Sequence, residues 1–241
     1  MIMAKGYVLY NPLAGNGNAG EDAKLLQMVL DEDLEYYDMT RITNYKVFLS
    51  NLSTDDYLVI VGGDGTLNRF VNDTDGLEIT KEILYFPAGS GNDFARELGT
   101  DGNPVVITQY LNNLPSVEVN GRRYRFINGV GFGIDGYCCQ VGDELKKTPG
   151  KKVNYAAIAI KGLLFHGAGR FRTLCVFPSI FKGEHVKHKN MVAVHTGHEI
   201  TVEFDRPTPL QIDGETILDV TKYTASAAVC NMNKTKEKVL C

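Results

Sequence analysis

The sequence predicts an α/β domain followed by a mainly β domain, and three observations carry that expectation. Residues 5–10 (KGYVLY), 58–61 (LVIV) and 83–86 (ILYF) are short apolar runs. Each ends in a loop rich in Gly, Asn or Ser and is followed by a helix-like stretch, the grammar of a parallel sheet with crossover helices. Near Pro115 the texture changes to short β-like segments, beginning with an Asn120-Gly121 hairpin signal. The 241 residues are 44% hydrophobic and 22% charged, an ordinary soluble composition with ample length for a core.

In order, strand 5–10 runs into Asn11, Pro12, Leu13, Ala14 and Gly15. Residues 21–30 place Ala23, Leu25, Leu26, Val29 and Leu30 at helical spacing. A strand is expected over 35–39, ending at Thr40, then a short helix over 45–52. Strand 58–61 enters Gly62, Gly63, Asp64, Gly65 and Thr66, with a helix starting at Leu67 and reaching about Asn72. Strand 83–86 ends in Pro87, Ala88, Gly89, Ser90, Gly91, Asn92 and Asp93, ahead of a helix over 94–98 closed by Gly99. Beyond Pro115 the expected strands are 117–119, 123–130, 173–177, 191–195, 199–204, 210–212 and 217–220. An apolar helix is expected over 151–165. The domain division is 1–115 and 116–241.

Three strands ending in polar, Gly-rich loops put those loops at the carboxyl edge of an open sheet, where ligands bind. Glycine lets consecutive amides approach an anion such as phosphate. Asp64 is the odd member, because a carboxylate among phosphate-facing amides repels the ligand unless a divalent cation intervenes. The loop therefore suggests nucleotide plus metal; the alternative is a tight strand-to-helix turn with Asp64 as N-cap. Asn92 or Asp93 would cap the helix that follows, while Ser90, Gly91 and Asn92 present donors to nucleotide or substrate. Asp93 becomes a second carboxylate near Asp64 if the two strands are neighbours. Asp213-Gly214-Glu215 reads as a hairpin turn with Glu215 exposed; a carboxylate there could also accept the proton of an alcohol nucleophile.

The net charge of −4 argues against a broad nucleic-acid surface. Basic clusters at Lys146, Lys147, Lys151 and Lys152, at Arg122, Arg123 and Arg125, and at Lys182, Lys187 and Lys189 read as solvated faces. Sharing one face, they would attract an anionic membrane. No apolar run approaches the roughly 20 residues needed to span a bilayer. A strand begins almost at once, leaving no room for a signal peptide, so a cytosolic protein is expected. The five cysteines include no CxxC pair and read as reduced, and five dispersed histidines make a zinc site unexpected.

Together, NPLAG at 11–15, VGGDGTLN at 61–68, PAGSGNDFAR at 87–96 and LQIDGE at 210–215 resemble the diacylglycerol kinase catalytic family, in particular its soluble bacterial lipid kinases. GGDGT alone is shared with NAD kinases and phosphofructokinases, whereas GSGNDFAR and the late DGE are more specific. The resemblance implies a nucleotide-binding α/β domain, a C-terminal β-sandwich and an active site between them. Asn11, Pro12, Leu13, Ala14, Gly15, Thr40, Gly62, Gly63, Asp64, Gly65, Thr66, Leu67, Asn68 and Ser90 match nucleotide-contacting positions. Asp64 would orient the Mg²⁺ of MgATP, directly or through water, and Glu215 matches the general base. The expected reaction is transfer of phosphate from ATP to diacylglycerol, giving phosphatidate at the inner face of a membrane to which the protein binds peripherally. A second copy in a homodimer is the other expected partner; nucleic acid is not one. The alternatives are another lipid acceptor such as a sphingoid base or phosphatidylglycerol, an NAD kinase-like enzyme, or a nucleotide-binding regulatory protein without kinase activity.

One departure stands out. The family carries tens more residues after the apolar helix, including an acidic DGxL segment that holds a structural magnesium. Here residues 163–169 pass almost directly into 170–177, leading to FPSIF, and that acidic segment is absent. Either the β domain has lost strands or a stretch is missing from the sequence. The second is favoured, because lost strands would expose a sandwich core and unpaired edges.

Overall fold

A computed structural model of the chain describes residues 4–12, 14, 19–30, 33–89, 92–100, 102–147, 158, 179, 184–189 and 193–228. These fall into two compact units: the described residues up to Ser116 with Arg123–Asn128, and Val117–Arg122 with the described residues of Gly129–Ser226.

The first unit alternates strand and helix: β1 (Gly6–Tyr10), α1 (Ala19–Val29), β2 (Leu34–Asp38), α2 (Tyr45–Ser50), β3 (Tyr57–Gly62), α3 (Asp64–Asp73), β4 (Ile83–Pro87), α4 (Asp93–Glu97), β5 (Val105–Val106) and α5 (Thr108–Leu111). The sheet order is β2-β1-β3-β4-β5. The first four strands are parallel, and β5 adds an antiparallel edge. On β3, Leu58, Val59, Ile60 and Val61 are wholly buried, because helices cover both faces of the sheet. Leu58 and Ile60 pack with Tyr45, Leu67, Phe70 and Phe94. Val59 and Val61 pack with Ala23 and Leu26 of α1. Burying each such side chain is worth roughly 1.5–3 kcal/mol, which is why an unbroken apolar run ends up in the middle of the sheet.

The second unit holds β6 (Ser116–Val119) from Val117 on, β8 (Val130–Phe132), α6 (Ile134–Lys146), β9 (Glu199–Ile212) and β10 (Glu215–Ser226); β7 (Arg122–Arg125), the other arm of the β6 hairpin, belongs to the first unit from Arg123 on. The strand order is β7-β6-β10-β9-β8, with β8, β9 and β10 antiparallel. Asn120 and Gly121 turn the hairpin with φ of 49° and 73°, the left-handed pair that a two-residue turn requires. Helix α6 packs on β9 and β10. Gly136 permits the approach, since a Cβ there would overlap the carbonyl oxygen of Pro209.

Several expectations change. Helix α3 begins at Asp64, not Leu67, so most of the glycine loop is the helix's first turn. The strand expected over 123–130 breaks after Arg125, whose backbone is held by α3: Arg125 N–H donates to Asn72 Oδ1 at 2.8 Å, and Asn72 Nδ2 donates back to Arg125 O at 3.0 Å. Segments 199–204 and 210–212 are one strand, and 193–195 are not in a strand. Helix α6 was not expected, although Ile134, Tyr137, Cys138, Val141 and Leu145 repeat at helical spacing and form its apolar side. Gly133 and Gly136 obscured that period. Of the helix expected over 151–165 only Ile158 is described, helical and buried; the strand over 173–177, residues 191–192 and the departure near 163–170 lie outside the described residues.

Candidate functional site

The carboxyl ends of β1, β3 and β4 lie side by side, Tyr10 beside Val61 and Gly62 beside Pro87. Strand order reverses between β1 and β3, the switch point at which an open α/β sheet parts its loops and leaves a crevice. Asn11 starts a tight turn at that point, its carbonyl accepting the Ala14 amide at 3.0 Å. Leu13, Gly15, Ser90 and Gly91 lie outside the described residues.

Two glycine loops meet here backbone to backbone. A Cβ on Gly89 would overlap the Gly63 Cα, and one on Gly63 would stand 3.0 Å from the Gly89 Cα. Ala88 N–H donates to Gly62 O at 2.9 Å, tying the loops beyond the sheet. Gly62 also lies under Thr66, whose side chain fills the space a Cβ would need. Gly63 is the N-cap of α3 in extended geometry and its carbonyl accepts the Thr66 and Leu67 amides at 3.0 and 3.2 Å. The Asp64 and Gly65 amides precede those bonds and belong to the set a helix N-terminus offers an anion.

Asp64 does not cap its own helix. Its Oδ2 accepts the Asp93 amide at 2.8 Å and its Oδ1 the Phe94 amide at 3.1 Å, so it caps α4 from the neighbouring loop. Neither Asn92 nor Asp93 supplies the expected side-chain cap. Asn92 adopts φ 52° and folds back on its own loop, Oδ1 accepting from Gly89 N–H at 3.0 Å and Nδ2 donating to Gly89 O at 2.7 Å. The Asp93 carboxylate pairs with Arg96. Asp64 and Asp93 are therefore brought together, as adjacency of the strands required. Leu67 is fully buried in the core. Asn68 turns inward, donating from Nδ2 to Arg125 O at 3.3 Å and accepting from Asn72 Nδ2 at 3.3 Å.

At the end of β2, Asp38 Oδ1 accepts both the Thr40 hydroxyl at 2.6 Å and the Thr40 amide at 2.9 Å, with Arg41 Nε 3.2 Å from Oδ2. The Thr40 hydroxyl is the main cause holding the Asp38 carboxyl below its usual range. An Asp ahead of Thr-Arg is a capping signal that could have singled out Asp38.

In the second unit, Glu215 is the first residue of β10, exposed and paired with Ile212 across the Asp213-Gly214 turn. Asp213 and Gly214 have φ of 48° and 89°. The turn is fixed on three sides: Gly129 N–H donates to Asp213 Oδ1 at 2.9 Å, Gly214 N–H to Gln211 Oε1 at 2.7 Å, and the Thr216 hydroxyl to Asp143 Oδ2 at 2.7 Å. Burial pushes the Asp135 carboxyl up. The basic clusters are partly spent in ion pairs, Arg123 and Arg125 with Asp75, Lys146 with Asp143 and Lys187 with Glu184.

Among the described residues, no group of three or more His, Cys, Asp or Glu side chains could hold a metal. The donor set fits a different kind of metal site. Mg²⁺ keeps several waters and needs one or two carboxylates besides substrate phosphates. Each Asp64 oxygen accepts one amide and retains a lone pair for a metal-bound water. No described helix is long and apolar enough to cross a membrane.

Residues 5–119 match the diacylglycerol kinase catalytic domain. The chain is similar to the diacylglycerol kinase of Bacillus subtilis, 28% identical over 144 residues that cover 54% of this chain and 46% of that protein. The chain thus spans less than half the length of the relatives it matches in sequence. Its fold is similar to the crystal structure of a diacylglycerol kinase from Bacillus anthracis, with a TM-score of 0.52, 17% identity, and coverage of 93% of this chain and 94% of that one.

Proposed function

We propose, from the match of residues 5–119 to the diacylglycerol kinase catalytic domain, that the chain is an ATP-dependent lipid kinase acting on the hydroxyl of diacylglycerol to give phosphatidate. The observation that carries the reading is the backbone-to-backbone junction of Gly63 and Gly89, with Asp64 and the first-turn amides of α3 beside it. Backbone can approach phosphate there, and one carboxylate stands at the same edge.

In this reading the Asp64 and Gly65 amides hold phosphate oxygens, and Asp64 holds a water of the nucleotide's magnesium. Held there by Asp64 through water, Mg²⁺ would neutralise charge on the nucleotide's phosphates. Glu215 accepts the proton of the lipid hydroxyl; the hydroxyl oxygen bonds to the γ-phosphorus as the bond to the β–γ bridging oxygen breaks, and ADP leaves. Such chemistry asks mainly for positioning and electrostatics. The lipid is presented from a bilayer, so peripheral binding at the inner face of a membrane is part of the proposal.

The test is transfer of labelled γ-phosphate from ATP to vesicles containing diacylglycerol, sphingosine or phosphatidylglycerol, with NAD in solution as a fourth acceptor. Labelled phosphatidate as the main product is the expected result. Label confined to NAD would sink the lipid reading. Retained nucleotide binding with no transfer would leave a regulatory nucleotide-binding protein.

A further inference from the structure

Tyr85 lies in the middle of β4 with no exposed surface. Among the described residues its hydroxyl is buried and has no hydrogen-bond partner. Leaving such a group unpaired costs roughly 1–3 kcal/mol, and a Phe of the same shape would avoid the cost. The ring lies beneath the α4 cap. It packs against Phe94 with centroids 6.2 Å apart, and Phe94 supplies one of the two amides that Asp64 accepts. Tyr85 also pairs with Ile60 of β3, the strand that leads into Asp64. Burial first, and then the Asp64 charge, raise the proton affinity of the phenol.

A carboxylate offers about four lone-pair sites, and the two α4 amides occupy two. A buried water needs at least two polar partners, which the Tyr85 hydroxyl and the Asp64 carboxylate supply. We propose that Tyr85 is a positioning residue for Asp64: its hydroxyl donates to an internal water that in turn donates to the Asp64 carboxylate, holding it on the α4 amides. The link to nucleotide binding rests on the kinase reading above; the effect on the cap does not.

Tyr45 provides an internal control. Its hydroxyl is also buried without a partner among the described residues, but its ring packs against Phe48 and Phe70. The experiment compares Tyr85→Phe and Tyr45→Phe with wild type by amide hydrogen exchange of the nucleotide-free protein. Tyr85→Phe should speed exchange of the Asp93 and Phe94 amides about tenfold, leaving the β3 and β4 amides unchanged, whereas Tyr45→Phe should leave Asp93 and Phe94 at wild-type rates. Wild-type rates at both amides in Tyr85→Phe, or equal acceleration along β4, would overturn the proposal. A second arm measures ADP affinity with and without Mg²⁺; Tyr85→Phe should weaken the Mg²⁺-dependent part about tenfold and the metal-free part little. If the wild type binds no ADP while exchange changes as expected, the kinase reading fails and the role of Tyr85 in the cap stands.

Discussion

Asp64, the first residue of α3, caps α4 across 29 residues of sequence, accepting the Asp93 amide at 2.8 Å and the Phe94 amide at 3.1 Å. One side chain thereby joins the helix that follows β3 to the helix that follows β4. Removing it should disturb both stability and chemistry. Asp64→Ala is expected to cost about 1 kcal/mol, the usual worth of a helix cap, and to abolish phosphate transfer with the fold retained. Asp64→Asn, which keeps one accepting oxygen, should recover most of the stability and little of the activity. Thermal melts beside the transfer assay check both.

Gly89 is required for a different reason. Its Cβ would overlap Gly63 backbone and stand 2.8 Å from Asn92 Oδ1, and backbone cannot rotate away as a flexible side chain can. Gly89→Ala should cost on the order of 1–3 kcal/mol through forced separation of the loops. Nucleotide affinity should fall with it; calorimetric titration with ATP at wild-type affinity would contradict the junction.

In the proposed reaction Glu215 takes the proton of the acceptor alcohol. Glu215→Gln should leave ATP binding intact and reduce turnover by at least ~10²-fold. Its place in the hairpin does not depend on its charge, since the turn is held by Asp213, Gln211 and Thr216. A variant with wild-type turnover would return Glu215 to a purely structural turn position.

Asp38 and Cys139 give two pH-dependent expectations. The Asp38 carboxyl is held low chiefly by the Thr40 hydroxyl. A depressed carboxyl stabilises the fold above the ordinary Asp range, and that contribution is lost as pH falls through the lowered value. Thr40→Val should therefore raise the Asp38 titration midpoint observed by carbon NMR, and an unmoved midpoint would remove Thr40 as its cause.

Burial, and then the neighbouring Asp143, push the Cys139 thiol up to about 11. At pH 8 that leaves roughly 0.1% thiolate, so iodoacetamide should label Cys139 at least ~100-fold faster in denaturant than in the native protein. Peptide mass spectrometry reads the difference residue by residue.

The central elements were legible because their signals are local. Four consecutive apolar residues in β3 demand burial on both faces, and Asn120-Gly121 demands a two-residue turn. Helix α6 was masked by Gly133 and Gly136, and Gly136 proves to be a contact against Pro209, not a break. The single strand expected over 123–130 is interrupted over 126–129, where Asn72, far away in sequence, captures the backbone of the preceding Arg125.

The sequence by itself determined the glycine loops, their order and the presence of carboxylates at residues 64, 93 and 215. Only the tertiary structure decided what those carboxylates touch. Asp64 could equally have capped its own helix; parallel pairing of β3 with β4 sets the α4 amides beside it, and the Asn92 side chain leaves those amides uncapped. Hydrogen bonds over such separations follow from strand register, and register is a property of the folded sheet.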